Sequence, residues 1–100
     1  MYDLKQMVKM KKYGDLTPKA MKAFNDLNAA VFTDGALTAK VKELMALSIA
    51  VTTQCPYCIE FHNKQARAKG ATEAEIAEAV MVSAALRAGG SVTHGLHCLE

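Results

Sequence analysis

The apolar residues of this chain recur at helical spacing, and short polar or glycine-containing runs separate them into stretches. Thr17-Pro18 supplies an N-cap and a first-turn proline for one helix, which Gly35 closes. Thr38 can cap a second helix, which ends at the polar run Thr52-Thr53-Gln54. This second helix is apolar on nearly every side, a pattern typical of a central, buried helix.

Two more helices follow. One begins at Pro56 and stops at Gly70, a residue suited to a left-handed C-cap. The next is opened by a capping box formed by Thr72 and Glu75, and its apolar run ends at Gly89-Gly90. No useful length of the chain alternates with a period of two residues, so no sheet is expected. The pattern predicts an all-α fold.

The second and fourth of these helices are hard to hide within a single chain. A domain of 100 residues buries only about two-thirds of the surface that its unfolded chain exposes. Helices that are apolar nearly all round then need partners outside the subunit. We therefore expect the central helices to be buried in an oligomer.

Length and composition indicate a single domain spanning residues 1–100. The formal net charge of +2 favours neither nucleic acid nor an acidic partner. The lysines do cluster near the start, and we expect them to form a solvated helix face: Lys5, Lys9, Lys11 and Lys12. No stretch reaches the roughly 18 apolar residues of a membrane span, and no apolar run follows the N-terminal charges. We expect a cytoplasmic protein that does not bind a membrane.

The candidate chemistry lies in the run that contains Cys55, Cys58 and His62. The two cysteines are too close together to join distant parts of a fold, so their spacing indicates redox chemistry or metal binding. Cys55 precedes a first-turn proline and is expected at the N-cap, while Cys58 and His62 stand one turn apart. Both thiols are therefore expected to ionise below their ordinary pKa. The alternative is a pair of packed thiols beside a core histidine.

Two further side chains have open interpretations. Glu43 lies twelve residues before Cys55 and only five after the proposed cap, so it is either a solvated first-turn acid or a carboxylate that orients His62. Tyr57, between the cysteines, either packs or brings its hydroxyl to the site.

A zinc site is a competing interpretation of the same residues. Cys55, Cys58 and His62 could provide three ligands, and a residue near the C-terminus could provide the fourth: Cys98, His94 or His97. Structural zinc sites usually draw their ligands from two separated pairs, so this pattern favours thiol chemistry instead. A cysteine so close to a chain end is more often incidental.

The spacing Glu43-x11-Cys55-x2-Cys58-x3-His62 resembles the motif of the alkylhydroperoxidase D-like proteins in the carboxymuconolactone decarboxylase superfamily. The apolar helix before the motif and the Gly-Ala-Thr-Glu-x-Glu-Ile run after it are also similar, and the resemblance covers residues 38–90. It implies a compact fold of about five to six helices, assembled as a homotrimer or homohexamer.

The resemblance also implies the reduction of hydroperoxides through a dithiol and disulfide cycle, without a cofactor or metal. Cys58 is then the thiol that attacks the peroxide, and it is deprotonated through His62 with Glu43 completing a relay. Cys55 resolves the resulting sulfenic acid. An external dithiol, a lipoyl group in well-known relatives, reduces the disulfide.

This chain departs from the archetype of that family in two respects. Tyr57 stands where the archetype has a histidine, so no proton transfer is assigned to that position. The chain is also much shorter and resembles a form with one helical unit.

The competing functions are a disulfide reductase or redox partner with weak peroxidase activity, and muconolactone decarboxylation. The decarboxylation needs cations for the substrate carboxylates, and the only arginines are Arg67 and Arg87.

Overall fold

The computed structural model describes residues 3–100, and in that range the chain is helical, without a strand. Five α-helices follow one another: α1 (Met10–Leu16), α2 (Pro18–Val31), α3 (Ala39–Thr53), α4 (Pro56–Ala68) and α5 (Glu73–Gly95). Short 3₁₀ helices precede and follow them at Leu4–Lys9 and Leu96–Cys98. The all-α prediction is confirmed, as is the expected number of helices. Met1 and Tyr2, which the predicted domain includes, lie outside the described residues.

The predicted capping residues begin α3 and α5. The Thr38 hydroxyl accepts the Val41 N–H at 3.2 Å at the start of α3. The capping box of α5 is complete: the Thr72 hydroxyl accepts the Glu75 N–H at 3.1 Å, and the Glu75 carboxylate accepts the Thr72 N–H at 2.9 Å. Because these bonds satisfy N–H groups that lack intrahelical partners, the helix starts follow from local sequence.

The end of α5 differs from the prediction. The helix runs through Gly89 and Gly90 and ends at Gly95. A glycine weakens a helix interior by about 1 kcal/mol but keeps its N–H donor, so two glycines do not stop a helix whose neighbours continue it. The Thr93 hydroxyl donates to the Gly89 carbonyl oxygen at 3.0 Å within this extension.

Helix α3 is the centre of the packed unit, because it contacts both α4 and α5. The core consists mainly of small residues, which permit close helix approach: Ala39, Leu47 and Ala50 of α3, Ala66 of α4, and Ala71. Among the described elements, α2 packs only against α1. Helices α1 and α2 therefore lie outside the unit formed by α3, α4 and α5, whereas the first 3₁₀ helix contacts α4.

The single chain leaves much apolar surface uncovered. Its accessible surface is 7753 Å², against about 5,500 Å² for a compact monomer of this mass. Its radius of gyration is 16.6 Å, against about 13 Å for a compact domain of this length. Met81, Val82 and Leu86 on α5 are 67%, 67% and 76% exposed. No helix in the described range is long and apolar enough to cross a membrane.

Candidate active site

Helix α3 turns the Glu43 side chain inward. Glu43 shares the buried face of the helix with Ala39, Leu47 and Ala50, at the spacing of successive turns. It is only 4% exposed. One carboxylate oxygen lies 2.7 Å from His62 Nδ1. Of the two interpretations of Glu43, the structure contradicts the solvated first-turn acid and supports the carboxylate that orients His62.

The connection between α3 and α4 positions the cysteines. Gln54 ends α3 in the left-handed conformation, with a φ of 56°. Cys55 follows as the N-cap of α4, with Pro56 at the first position of the helix. The Cys55 sulfur accepts the Cys58 backbone N–H at 3.3 Å. The predicted N-cap role of Cys55 is confirmed, and both cysteines are free thiols.

The two thiols differ in acidity. The pKa of Cys55 is lowered, first because the Cys58 thiol donates a hydrogen bond to its sulfur and then because the Cys58 backbone N–H does so as well. The pKa of Cys58 is raised, first because ionisation removes the proton of that same thiol hydrogen bond, and then because desolvation and the charge of Cys55 disfavour a second thiolate. The expectation that both sulfurs ionise below their ordinary pKa is therefore correct for Cys55 and wrong for Cys58.

His62 lies on α4 one turn after Cys58, as predicted, and its ring is held between aromatic neighbours. Phe32 stacks on it with ring centres 5.3 Å apart, and Phe61 meets it edge-on at 5.0 Å. Its side chain is 18% exposed. Within the described part of the chain, His62 makes no hydrogen bond to either sulfur. The structure thus brings Glu43 to His62 and Cys55 to Cys58, without a direct bond between the two pairs.

The supporting aromatic rings were not recognised from the sequence. Phe61 adjoins His62 in the chain, so its proximity could have been noted. Phe32 comes from the C-terminus of α2, about thirty residues away, and no local pattern indicates that it stacks on His62.

The geometry of the Glu43–His62 pair determines which imidazole nitrogen can transfer protons. A carboxylate accepts hydrogen bonds, so the bond to Glu43 places the imidazole proton on Nδ1. The other nitrogen, Nε2, is then an acceptor with no hydrogen-bond partner among residues 3–100. Such an arrangement can take up a proton and stabilise the resulting imidazolium.

The remaining candidates lie outside this cluster. The Tyr57 hydroxyl accepts the Asp3 backbone N–H at 3.4 Å. Cys98 is exposed after α5, and the nearby rings of His94 and His97 are 6.4 Å apart. Across residues 3–100, no group of three or more His, Cys, Asp or Glu side chains could hold a metal ion. The zinc interpretation therefore has no donor cluster in the described structure.

Comparison with known proteins extends this picture. Residues 18–100 match the carboxymuconolactone decarboxylase family. A crystal structure of a family member from Legionella pneumophila has a TM-score of 0.78 at 33% identity, covering 90% of this chain and 80% of that one. A family protein from Thermotoga maritima, for which a role in antioxidative response has been suggested, gives 0.60 at 36% identity, covering 64% and 66%.

A sequence relative from Paracoccus denitrificans is uncharacterized protein 4 in the cox locus. It is 50% identical over 72 residues, which are 72% of this chain and 65% of the relative. The chain therefore spans slightly less than two-thirds of the length of that relative.

Proposed function

This chain belongs to the carboxymuconolactone decarboxylase family, and we propose that it reduces hydroperoxides through a dithiol and disulfide cycle of Cys55 and Cys58. The observation that carries the proposal is the buried pair of the Glu43 carboxylate and the His62 imidazole, in which His62 shares α4 with the dithiol and Glu43 lies on the preceding helix, α3. The antioxidative role suggested for the Thermotoga relative is consistent with it.

The proposed first step is attack of the Cys58 sulfur on one oxygen of the hydroperoxide. An S–O bond forms, the O–O bond breaks, and the alkoxide that leaves takes up a proton to become an alcohol. We take the Cys55 thiolate, whose pKa the Cys58 thiol lowers, as the first acceptor of the Cys58 thiol proton. His62 Nε2, one turn along α4, relays that proton to the alkoxide, and Glu43 keeps the ring in the required tautomer.

The second step closes the cycle. The Cys55 thiolate attacks the sulfenic sulfur of Cys58, an S–S bond forms, and the hydroxide that leaves becomes water by taking from solvent the proton that Cys55 released on ionising. Two thiols and one hydroperoxide thus become one disulfide, one alcohol and one water. An external dithiol then returns two electrons and two protons to the protein.

The roles of the two cysteines are assigned by combining acidity with access. Cys55 is the more acidic thiol but is half-buried, whereas Cys58 is exposed. We assign the peroxide step to Cys58, because it is exposed and has a base one turn away. The test is to treat Cys55→Ser and Cys58→Ser with a hydroperoxide and trap sulfenic acid. A trapped sulfenic acid on Cys58 is expected in the first variant. A sulfenic acid on Cys55 in the second, with none on Cys58 in the first, reverses the roles.

The activity itself is tested by hydroperoxide consumption with dithiothreitol or dihydrolipoamide as the electron donor. The parent is expected to turn over with at least one of them, and both cysteine variants are expected to lose multiple turnover. A parent that reduces protein disulfides but leaves hydroperoxide intact would instead be a disulfide reductase.

We also propose that the active form is a homo-oligomer, a trimer or a hexamer. The accessible surface of the single chain exceeds that of a compact monomer of the same mass by about 2,200 Å². A stable interface removes about 600–1,000 Å² from each partner, so the excess is large enough for such an interface. A mass equal to one chain by sedimentation or light scattering would remove this part of the proposal.

A further inference from the structure

The N-terminal lysines form an exposed basic surface. Lys5 and Lys9 lie on the first 3₁₀ helix, and Lys11 and Lys12 lie on α1. All four are exposed, and together we call them the basic strip. From Asp3 to Lys12 the chain holds four lysines and one aspartate, a local charge of +3, whereas the whole chain carries only +2. The positive charge of this protein is therefore concentrated in one short segment.

This segment contacts the helix that carries the dithiol. The Asp3 backbone N–H donates to the Tyr57 hydroxyl at 3.4 Å, and the 3₁₀ helix contacts α4. Tyr57 lies between Cys55 and Cys58 in the first turn of α4. A protein partner covers about 800 Å² of the surface that it binds, so one that engages the sulfurs at the start of α4 also meets the 3₁₀ helix that contacts α4. Charges on such a partner attract the strip over a Debye length of about 8 Å at physiological salt.

Apolar side chains are exposed on the same segment. Leu4, Met7 and Val8 are 46%, 40% and 82% exposed. Lysines beside uncovered apolar residues favour a protein partner, since protein interfaces combine an apolar centre with a charged rim. The segment contains no arginine, and this argues against nucleic acid.

We propose that the basic strip docks an acidic protein surface that carries the dithiol reductant of the Cys55–Cys58 disulfide. The proposal rests on the proposed function and names the class of partner that completes its cycle. One carrier thiolate attacks a protein sulfur, the disulfide breaks, and a mixed disulfide forms. The second carrier thiol then displaces the protein sulfur, leaving two protein thiols and an oxidised carrier. Attraction between the strip and an acidic carrier raises the association rate.

The experiment measures reduction of a preformed disulfide, so it needs no peroxide chemistry. The chain, in a Cys98→Ser background, is oxidised with diamide. It is then reduced by one of two synthetic peptides, each bearing one dihydrolipoyl-lysine flanked either by glutamates or by glutamines. At low salt the acidic peptide is expected to react about tenfold faster, and added salt is expected to shrink this difference.

Two matched variants locate the effect. K5Q/K9Q/K11Q/K12Q is expected to react equally with both peptides, whereas K19Q/K22Q/K64Q/K69Q removes the same charge from other exposed lysines and should keep most of the preference. Dithiothreitol should reduce all three proteins at similar rates.

Equal rates with the two peptides for the parent, or equal losses in both variants, would overturn the proposal. A second result would also overturn it: the parent shows no preference between the peptides but binds phosphatidylglycerol vesicles, and the strip variant does not bind them. That result would assign the strip to a membrane. Failure of the peroxidase function appears separately, as intact hydroperoxide in the assay with dithiothreitol.

Discussion

Replacing Glu43 by glutamine separates the electrostatic role of this residue from its place in the core. Glutamine keeps the size of the side chain and an oxygen that can accept the His62 Nδ1 proton, but it removes the charge. A hydrogen bond to a charged partner contributes about 1.5–3 kcal/mol, and one between neutral groups about 0.5–1.5 kcal/mol. The difference of about 1.5 kcal/mol corresponds to a rate about tenfold lower.

Stability is expected to respond differently from activity. Glu43 is 4% exposed, and burying a carboxylate is costly even when it is paired. Because Glu43→Gln removes that cost, the melting temperature should stay the same or rise. A purely structural role for Glu43 would instead lower stability and activity together.

The assay is kcat/KM for a hydroperoxide at saturating dithiothreitol, with thermal denaturation of the same samples. Glu78→Gln, which makes the same chemical change at an exposed position of α5, is the control and should match the parent. Parental kcat/KM in a folded Glu43→Gln protein would refute the relay through His62.

Three further changes test the local structure. The Cys58 thiol lowers the pKa of Cys55. The midpoint of the pH profile for the rate of Cys55 alkylation by iodoacetamide should therefore lie at a lower pH in the parent than in Cys58→Ala, and coincident profiles would contradict this. Leu47 is a core residue, 3% exposed, and Leu47→Ala should lower the free energy of unfolding by about 3 kcal/mol in a denaturant titration. Leu99 is 73% exposed, and Leu99→Ala should lower it by less than about 0.5 kcal/mol. Gln54→Gly, at a left-handed position, should raise stability by about 1 kcal/mol; a clear loss would show that the Gln54 side chain contributes to the fold.

The helix starts could be predicted because their causes are local. Each cap lies within one turn of the helix that it begins. The cap of α5 is a threonine followed three residues later by glutamate, and the cap of α4 is a cysteine followed by proline. The end of α5 could not be predicted in the same way. Glycine lowers helix propensity without blocking the hydrogen-bond ladder, so the outcome at Gly89 and Gly90 depends on the residues that follow.

The proximity of the candidate site residues was predictable, and their detailed geometry less so. The spacing of Glu43, Cys55, Cys58 and His62 indicated the candidate residues. Because α3 is apolar nearly all round, its pattern did not show which face Glu43 occupies. Burial against α4 decides this. The pKa of Cys58 depends on the hydrogen bond between the two thiols, and the support of His62 by Phe32 is a tertiary contact. Neither has a signature in local sequence.

The most direct test of the central claim is a single-turnover reaction of the reduced chain, in a Cys98→Ser background, with one equivalent of cumene hydroperoxide. The alcohol is quantified by chromatography, the remaining thiols by titration, and the disulfide by peptide mass mapping. The proposed function predicts one Cys55–Cys58 disulfide and one alcohol for each hydroperoxide consumed. Intact hydroperoxide with both thiols free, or alcohol formed without the disulfide, would contradict it.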